Sequence, residues 1–226
     1  ENPFLGQRGI RLCLARPELL RTQLRALLRA SSYGKLRIMF PMITNFEDWT
    51  AAKRMVAEVQ HELKVGPVEL GIMIEVPAAA LLASVFAREV DFFSIGTNDL
   101  TQYTLAMDRT NPALSEQADG LNPAVLTLIE RTVKAAHSAG KWTGVCGELA
   151  ANPLAVPILV GLGVDELSCS VPAIPAVKAQ VRTLARSTAE HLAAQALAQQ
   201  TRQSRPVAWV DAAGLVYPPA LEAQGV

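Results

Sequence analysis

Short apolar runs alternate with longer segments whose apolar residues recur at helical spacing, and this alternation constrains the fold more than any other feature of the chain. Parallel strands need crossover connections of a dozen or more residues, which are usually helices. Strands that alternate with helices therefore predict an α/β protein with a parallel sheet. The predicted strands are residues 36–42, 68–75, 91–96, 142–145 and 164–170.

Helix-start and helix-stop signals support these boundaries. Asn45 is a capping residue, and Asp48 stands at the position that completes a capping box. Pro77 suits the first turn of an alanine-rich helix. A further helix is predicted to run from the Asn-Pro pair at 122–123 to Gly140, which is a typical residue just beyond a helix end.

Two acidic residues stand where strand-like sequence changes to helix-like sequence. Glu75 closes the second predicted strand, and Asp99 follows the third. The carboxyl ends of neighbouring parallel strands meet at one edge, where open α/β sheets and (β/α) barrels hold their ligands. Carboxylate oxygens that converge there predict a Mg²⁺ site completed by an oxyanionic substrate. The alternative interpretation is a pair of capping carboxylates, for which Asp99 is the better candidate.

Three further residues near these strand ends are candidates for binding an anion. The amide of Asn98 can donate to a phosphate or carboxylate oxygen, although a cap or turn role suits its position equally well. Arg109 and Arg8 carry guanidinium groups, which are suited to bidentate phosphate binding. The alternative for Arg109 is an ion pair with Asp108 or a solvated side chain.

Cys146 lies between Gly144 and Gly147 at the end of the fourth predicted strand, where the missing side chains let the backbone approach a ligand closely. A thiol there can act as an acid or a nucleophile, and a cationic site would lower its pKa from about 8.5. A buried inert cysteine is the alternative, and Glu148 is predicted to brace the loop. The histidines fall on helical segments away from these strand ends, which predicts surface or hydrogen-bonded positions for them rather than a catalytic role.

Charge balance and segment lengths exclude several classes of protein. Lys plus Arg and Asp plus Glu are equal at 21 each, which argues against a dedicated nucleic-acid-binding protein. The longest strongly apolar stretch, residues 76–87, is far shorter than the ~20 residues that span a bilayer. Widely spaced cysteines indicate the reducing cytoplasm rather than a disulfide framework. Arg21, Arg25 and Arg29 predict the solvated face of an amphipathic helix rather than an anion-binding stripe.

The chain is predicted to contain one domain and a tail. Residues 1–199 carry all the predicted strands and helices. Residues 200–226 become polar and then rich in Pro, Ala and Gly, which predicts an irregular segment. Because the first residue is Glu rather than Met, we expect a fragment of a longer protein.

Several segments that together span residues 1 to about 200 carry a resemblance to a known family. They are residues 1–11, 36–42, 71–80, 91–109 and 141–150. These segments resemble the C-terminal barrel of the phosphoenolpyruvate-utilising enzymes, and among them the phosphoenolpyruvate–protein phosphotransferases, which include enzyme I of the bacterial phosphotransferase system and multiphosphoryl transfer proteins. The barrel of this family has eight strands. The strands predicted here match the fourth to the eighth, so the resemblance implies a partial (β/α)8 TIM barrel.

The resemblance also implies roles for the candidate residues. Glu75 and Asp99 would ligate Mg²⁺. Cys146 would be the catalytic acid that protonates the enolate carbon and so releases pyruvate. The residues implied to hold the phosphate and carboxylate of phosphoenolpyruvate are Arg8, Asn98, Asp99 and Arg109.

The resemblance implies partners as well. In the family, a histidine of an N-terminal domain accepts the phosphoryl group and passes it to the histidine-containing phosphocarrier protein for sugar uptake, and the enzyme is a cytoplasmic homodimer. None of the histidines here has the sequence context of that acceptor, so the chain is expected to be inactive alone. The alternatives are a pyruvate phosphate dikinase or phosphoenolpyruvate synthase barrel and a non-catalytic dimerisation fragment.

Overall fold

The computed structural model describes residues 3–199 and contains one parallel sheet in which the strands follow one another in chain order. A doubly wound sheet reverses its strand order at a switch point, and this sheet does not. Right-handed crossovers in a constant direction place the connecting helices on one face, as in a (β/α) barrel. The predicted α/β class and partial-barrel topology are therefore confirmed. The strands are β1 (Arg37–Phe40), β2 (Glu69–Ile74), β3 (Phe92–Gly96), β4 (Trp142–Cys146) and β5 (Glu166–Ser168).

Helices precede the sheet, connect its strands and follow its last strand. Short 3-10 turns join some of them, and the turn at Glu148–Ala151 directly follows β4 and its glycine. The α-helices of the described residues are α1 (Gly9–Ala15), α2 (Pro17–Ala30), α3 (Phe46–Leu63), α4 (Pro77–Leu81), α5 (Ala83–Phe86), α6 (Thr97–Leu105), α7 (Pro123–Ser138), α8 (Ala155–Gly161), α9 (Ile174–Thr183) and α10 (Arg186–Leu197).

The predicted helix starts are confirmed. The Asn45 side chain accepts a hydrogen bond from the Asp48 N–H at 2.8 Å, and the Asp48 carboxylate accepts one from the Asn45 N–H, which completes the capping box of α3. Pro77 is the first residue of α4. The Asn122 side chain caps α7 by accepting from the N–H of Ala124 at 2.9 Å.

Some predicted boundaries are wrong by a few residues. β1 ends at Phe40, because Pro41 has no N–H to continue the ladder and Met42 adopts a left-handed backbone with φ of 58°. β5 is shorter than the predicted range 164–170. The alanine-rich segment breaks at Leu82 into α4 and α5, and an alanine run without Gly or Pro does not signal such a break.

The core lies between the sheet and its helices. On β3, Phe93 and Ile95 are completely buried. The amphipathic helix predicted from the arginine spacing is α2, in which Leu24 is buried and the arginines lie at the surface. Arg25 pairs with Glu62 of α3 at 2.8 Å, so the basic face of α2 is stabilised by ion pairs rather than arranged as an anion site.

The structure bears on the predictions for the cysteines, the histidines, membrane-spanning helices and the tail. The three cysteines are free, and the three histidines are exposed at the surface, as predicted. No helix within residues 3–199 has both the length and the apolar character needed to cross a membrane. The tail predicted at 200–226 lies outside the described residues.

Candidate functional site

The candidate residues collect at the carboxyl edge of the sheet. Glu75 directly follows β2, Asp99 lies in the first turn of α6 after β3, and Cys146 is the last residue of β4. β3 and β4 are paired so that Gly96 lies opposite Cys146. Because these strands are parallel neighbours, residues distant in sequence meet at one edge.

Glu75 is a buried carboxylate, with only 4% of its surface exposed. Its Oε1 accepts a hydrogen bond of 2.6 Å from the Met42 N–H, which the left-handed backbone of Met42 directs at it. Its Oε2 lies beside Gly96, where an added Cβ would come within 3.1 Å of it. Burial raises the pKa of Glu75 from 4.5 to about 6; the Met42 hydrogen bond opposes this rise, and the Asp99 charge adds to it. The site therefore holds a carboxyl group whose pKa lies well above that of an ordinary glutamate.

Asp99 lies between two arginines. Its Oδ1 is 3.6 Å from Arg8 Nη1 and 3.5 Å from Arg109 Nη1. This oxygen is buried and accepts no hydrogen bond from any described residue. Asp99 does not cap α6, so the capping interpretation is wrong for this residue. A buried carboxylate oxygen with nearby charges but no hydrogen-bond donor is available to a ligand.

Arg8 comes from the segment before α1, far from Asp99 in sequence. The N–H of Ile10 donates to the Pro41 carbonyl at 3.3 Å and so anchors this segment to the end of β1. Gly9 has φ of 53°, and an added Cβ would lie 2.7 Å from the Met42 side chain. Only glycine fits this close approach. Arg8 Nη1 also lies 3.5 Å from the hydroxyl oxygen of Tyr103, on α6.

Arg109 follows α6, which ends in a left-handed residue at Ala106. Its backbone N–H donates to the side-chain oxygen of Gln102 at 3.1 Å, and this holds the turn. The Nη1 of Arg109 is buried and donates to no described residue. The Asp108 carboxylate instead accepts a hydrogen bond of 2.8 Å from the Thr110 N–H, and Arg109 pairs with Asp99. The predicted alternative of an Arg109–Asp108 ion pair is therefore wrong.

The ring of Phe4 contacts both guanidinium groups of the site. Its centroid is 5.2 Å from Arg8 Cζ and 5.5 Å from Arg109 Cζ. The Tyr103 hydroxyl donates to the Phe4 carbonyl and fixes the position of this segment. Phe4, Arg8, Asp99 and Arg109 thus form a compact cluster at the carboxyl edge of the sheet.

Asn98 bridges two loops. Its side-chain oxygen accepts from the Glu148 N–H at 3.0 Å, which leaves the amide N–H groups as its remaining donors. Glu148 braces this loop, as predicted, through its backbone N–H. Gly147 has φ of 99°, and an added Cβ would lie 2.8 Å from the Asn98 oxygen. Asn98 and Arg109 line one side of a cavity of about 520 Å³.

Cys146 is held at the end of β4 by polar neighbours. Its Sγ lies 3.5 Å from the Ser94 hydroxyl, which donates to it, and 3.5 Å from the Ile95 carbonyl, to which it donates. Thr97 donates to the Cys146 carbonyl at 2.9 Å. Burial raises the pKa of the Cys146 thiol, and the Glu75 charge adds to the rise. Burial and the Glu75 charge outweigh the hydrogen bond from Ser94, so the lowered pKa that a cationic site would give the Cys146 thiol does not occur.

The donor set suits a hard divalent cation that keeps open positions. Glu75 and Asp99 supply carboxylate oxygens, and the Asp99 Oδ1 is buried without a hydrogen bond. No group of three or more His, Cys, Asp and Glu residues that could hold a metal occurs among residues 3–199. Mg²⁺ is commonly bound through one or two carboxylates, with waters and substrate oxygens completing its shell. The residues present therefore fit Mg²⁺ and do not fit a metal site built entirely from side chains.

Sequence reasoning missed several residues of the site. Phe4, Met42, Ser94 and Tyr103 contact the predicted residues but carry no motif signal by themselves. Ser94 was identifiable in principle, because it lies on the same face of β3 as Gly96, and Gly96 is the register partner of Cys146. The Met42 donor depends on a left-handed backbone that a methionine does not signal.

A metal-compatible pair of carboxylates thus lies beside two arginines at the carboxyl edge of a barrel-type sheet, and this arrangement has the charges to accept a cation and an oxyanion. The family model described as "PEP-utilising enzyme, PEP-binding domain" matches residues 1–186. The chain belongs to this family.

Curated relatives agree with this membership. A multiphosphoryl transfer protein of Rhodobacter capsulatus is 56% identical over 201 residues, which cover 89% of this chain and 24% of that protein. A phosphoenolpyruvate-protein phosphotransferase of Staphylococcus epidermidis is 51% identical over 208 residues, which cover 89% of this chain and 36% of that protein. The chain therefore spans from 24% to 36% of the length of these relatives.

A solved structure shows the same fold. The crystal structure of a citrate lyase from Burkholderia xenovorans superposes with a TM-score of 0.56 and covers 88% of this chain and 71% of its own. The sequence identity is 21%, so this likeness shows the fold alone.

Proposed function

We propose that this chain is the phosphoenolpyruvate-binding part of a phosphoenolpyruvate–protein phosphotransferase. In that role it binds phosphoenolpyruvate, whose phosphoryl group passes to a histidine outside this chain and then to a histidine-containing phosphocarrier protein that serves sugar uptake. One observation carries the proposal: Asp99 Oδ1 and Arg109 Nη1 face each other, buried and without hydrogen bonds to the described residues. A cation and an oxyanion are the ligands that such atoms would satisfy.

Glu75 and Asp99 are the proposed magnesium ligands. Bound Mg²⁺ supplies a Lewis acid that stabilises negative charge on the phosphoryl and enolate oxygens. Glu75 offers its Oε2, because its Oε1 is engaged by the Met42 N–H. The raised pKa of Glu75 means that protonation competes with the cation near pH 6, so cation affinity is expected to fall as the pH is lowered through that value.

Arg8, Asn98 and Arg109 are the proposed ligands of the phosphate and carboxylate groups. The two guanidinium groups lie 3.5 to 3.6 Å from the Asp99 oxygen, so their donors are only weakly engaged before substrate binds. Cationic donors placed in this way stabilise the charge that spreads over the phosphoryl oxygens in a loose transition state. Asn98 keeps its amide N–H groups for a substrate oxygen, because Glu148 occupies its carbonyl.

Cys146 is the proposed proton donor. As the bond between phosphorus and the bridging oxygen breaks, the electron pair stays with the enolate, and the thiol proton moves to the enolate carbon to give pyruvate. The thiolate that remains recovers a proton from water. Burial raises the pKa of this thiol, so Cys146 is protonated at neutral pH as a proton donor must be. The Ser94 hydroxyl, 3.5 Å away, can stabilise the thiolate.

Binding of oxalate, a mimic of enolpyruvate, tests the cation and anion sites on this chain. Calorimetric titration is expected to show binding that needs Mg²⁺. Glu75→Gln is expected to abolish it, because the variant lacks the anionic oxygen. Glu69→Gln is the matched control, since Glu69 lies on the same strand and pairs at the surface with Lys35 at 3.2 Å. Oxalate binding without Mg²⁺, or unchanged binding by Glu75→Gln, would contradict the assignment.

A chimera tests the whole activity. Replacing the matching segment of the Staphylococcus epidermidis protein with this chain is expected to give pyruvate release that requires a phosphocarrier protein and neither ATP nor AMP. Cys146→Ala in the chimera is expected to stop pyruvate formation while oxalate binding stays near normal. A requirement for ATP or AMP would favour a dikinase or synthase instead.

Assembly and location belong to the same proposal. We expect the whole protein to be a cytoplasmic homodimer. Sedimentation equilibrium of the chimera, together with detection of the whole protein in fractionated cells, measures these two properties separately. A monomer at micromolar concentration would contradict the first, and recovery outside the cytoplasmic fraction would contradict the second.

A further inference from the structure

The uncharged ring of Phe4 contacts both arginines of the site. The ring centroid lies 5.2 Å from Arg8 Cζ and 5.5 Å from Arg109 Cζ, within the ~6 Å range of cation–π attraction. Among the aromatic side chains of residues 3–199, Phe4 alone contacts two guanidinium groups in this way. A single ring therefore holds two like charges close to one another.

The backbone around Phe4 keeps the ring in place. The Gly6 N–H donates to the Pro3 carbonyl at 3.1 Å and closes a turn around Phe4. A Cβ at Gly6 would lie 2.5 Å from the Pro3 ring, so this turn has no room for a side chain at that position. Arg11 donates to the Gly6 carbonyl at 3.4 Å, and the Tyr103 hydroxyl donates to the Phe4 carbonyl. The turn is thus tied both to α1 and to α6.

The contact of the Phe4 ring with both guanidinium groups matters when a cation and a substrate bind. Asp99 offsets the repulsion between Arg8 and Arg109. A cation on Asp99 would compete with that role at the moment when the anionic substrate needs both guanidinium groups together. Phe4 attracts both of them through its ring face and occupies none of their N–H donors. Those donors therefore remain available for oxygen atoms of a substrate.

We infer that Phe4 is a positioning residue, which holds the guanidinium groups of Arg8 and Arg109 side by side for the phosphate and carboxylate of phosphoenolpyruvate. The inference rests on the proposed function of the site. Phe4 acts through the two arginines and is not itself assigned a contact with the reacting atoms.

Variants at this position separate the aromatic contact from side-chain size. Phe4→Leu and Phe4→Met are of similar size and are not aromatic, whereas Phe4→Tyr keeps the ring. Each cation–π contact is worth about two- to fivefold in an equilibrium constant, so loss of both is expected to weaken phosphoenolpyruvate binding about tenfold. Phe4→Tyr is expected to bind within about twofold of wild type. Leu5→Ala, in the same turn and 85% exposed, is the matched control.

Two measurements on the full chain are needed. Calorimetry with phosphoenolpyruvate and Mg²⁺ reports on the anion site, and electron paramagnetic resonance of Mn²⁺ alone reports on Glu75 and Asp99. The non-aromatic variants are expected to lose affinity for phosphoenolpyruvate, to bind Mn²⁺ normally and to keep the wild-type unfolding temperature.

Each contrary outcome has a distinct meaning. Normal phosphoenolpyruvate binding by Phe4→Leu and Phe4→Met would overturn the inference and leave the proposed function intact. Equal losses in Phe4→Tyr and Phe4→Leu, or a parallel loss of Mn²⁺ binding, would show that Phe4 acts only through packing and would likewise overturn it. Failure of the wild-type chain to bind phosphoenolpyruvate would overturn the proposed function and this inference together.

Discussion

Glu75→Gln is expected to stabilise the metal-free chain at neutral pH. Glu75 is 4% exposed, and its pKa is raised from 4.5 to about 6, chiefly because burial penalises the charged form. Ionising this carboxyl therefore costs free energy in the folded state that it does not cost in the unfolded state. At 1.36 kcal/mol per pKa unit, the difference amounts to about 2 kcal/mol. The glutamine amide retains an oxygen that can accept from the Met42 N–H, so the change removes mainly the charge.

The effect has a defined pH window. Below pH 4.5 the carboxyl is protonated in both the folded and the unfolded state, so wild type and Glu75→Gln are expected to have similar stabilities. As the pH rises from 4.5 to about 6, the unfolded chain loses this proton before the folded chain does. The free energy of unfolding of wild type then falls relative to the variant, and the deficit is constant at higher pH.

Urea unfolding followed by circular dichroism between pH 4 and pH 8, with a chelator present, measures this difference. Subtracting the two curves cancels the titration of the groups that do not interact with Glu75. We expect the variant to be more stable by about 2 kcal/mol at pH 7, which corresponds to an unfolding temperature about 4–8 °C higher. Mg²⁺ is expected to stabilise wild type and not the variant, because only the folded wild-type site binds it.

Two results would refute this reasoning. A stability difference that does not change between pH 4 and pH 8 would show that the charge of Glu75 is not its origin. A metal-free wild type that is more stable than Glu75→Gln at pH 7 would show that the hydrogen bond and charges around the carboxylate offset the free-energy cost of burying it.

Three further predictions concern the capping box, helix packing and the thiol. Asn45→Ala is expected to lower the free energy of unfolding by about 1 kcal/mol, measured by urea denaturation, and no change would contradict the capping role. Gly161→Ala is expected to cost about 1–3 kcal/mol, because the added Cβ would lie 2.0 Å from the Ala189 carbonyl oxygen where α8 meets α10. Gly34→Ala, which has no neighbour within 4 Å, is its control, and equal effects of the two would refute the packing argument. Alkylation of Cys146 by iodoacetamide, followed by peptide mass spectrometry, is expected to have its midpoint above pH 9.0, since burial raises the pKa, and a lower midpoint would contradict the burial argument.

Local signals in the sequence determined the α/β class and the order of its elements. Helix-start signals act over three or four residues, so they could be predicted from the sequence alone. They are the capping box at Asn45, Pro77 at the start of α4 and the Asn122 cap. The same reasoning put Glu75 and Cys146 at strand ends, because the end of an apolar run is itself a local feature. The roles of these residues stay predictions until the binding experiments are done.

The shape and charge of the site were decided only by the tertiary structure. Arg8 meets Tyr103 across 95 residues of sequence, and the shared contact of Phe4 with Arg8 and Arg109 exists only once α1 and α6 have docked at the carboxyl edge of the sheet. The direction of the Cys146 pKa shift likewise depends on burial and on the Glu75 charge, which the sequence around the thiol does not show. Periodicity and caps report on neighbours along the chain, whereas burial and charge depend on neighbours in space. Such neighbours are set by the packing of the whole domain, and this is why the strand ends were predictable and the chemistry between them was not.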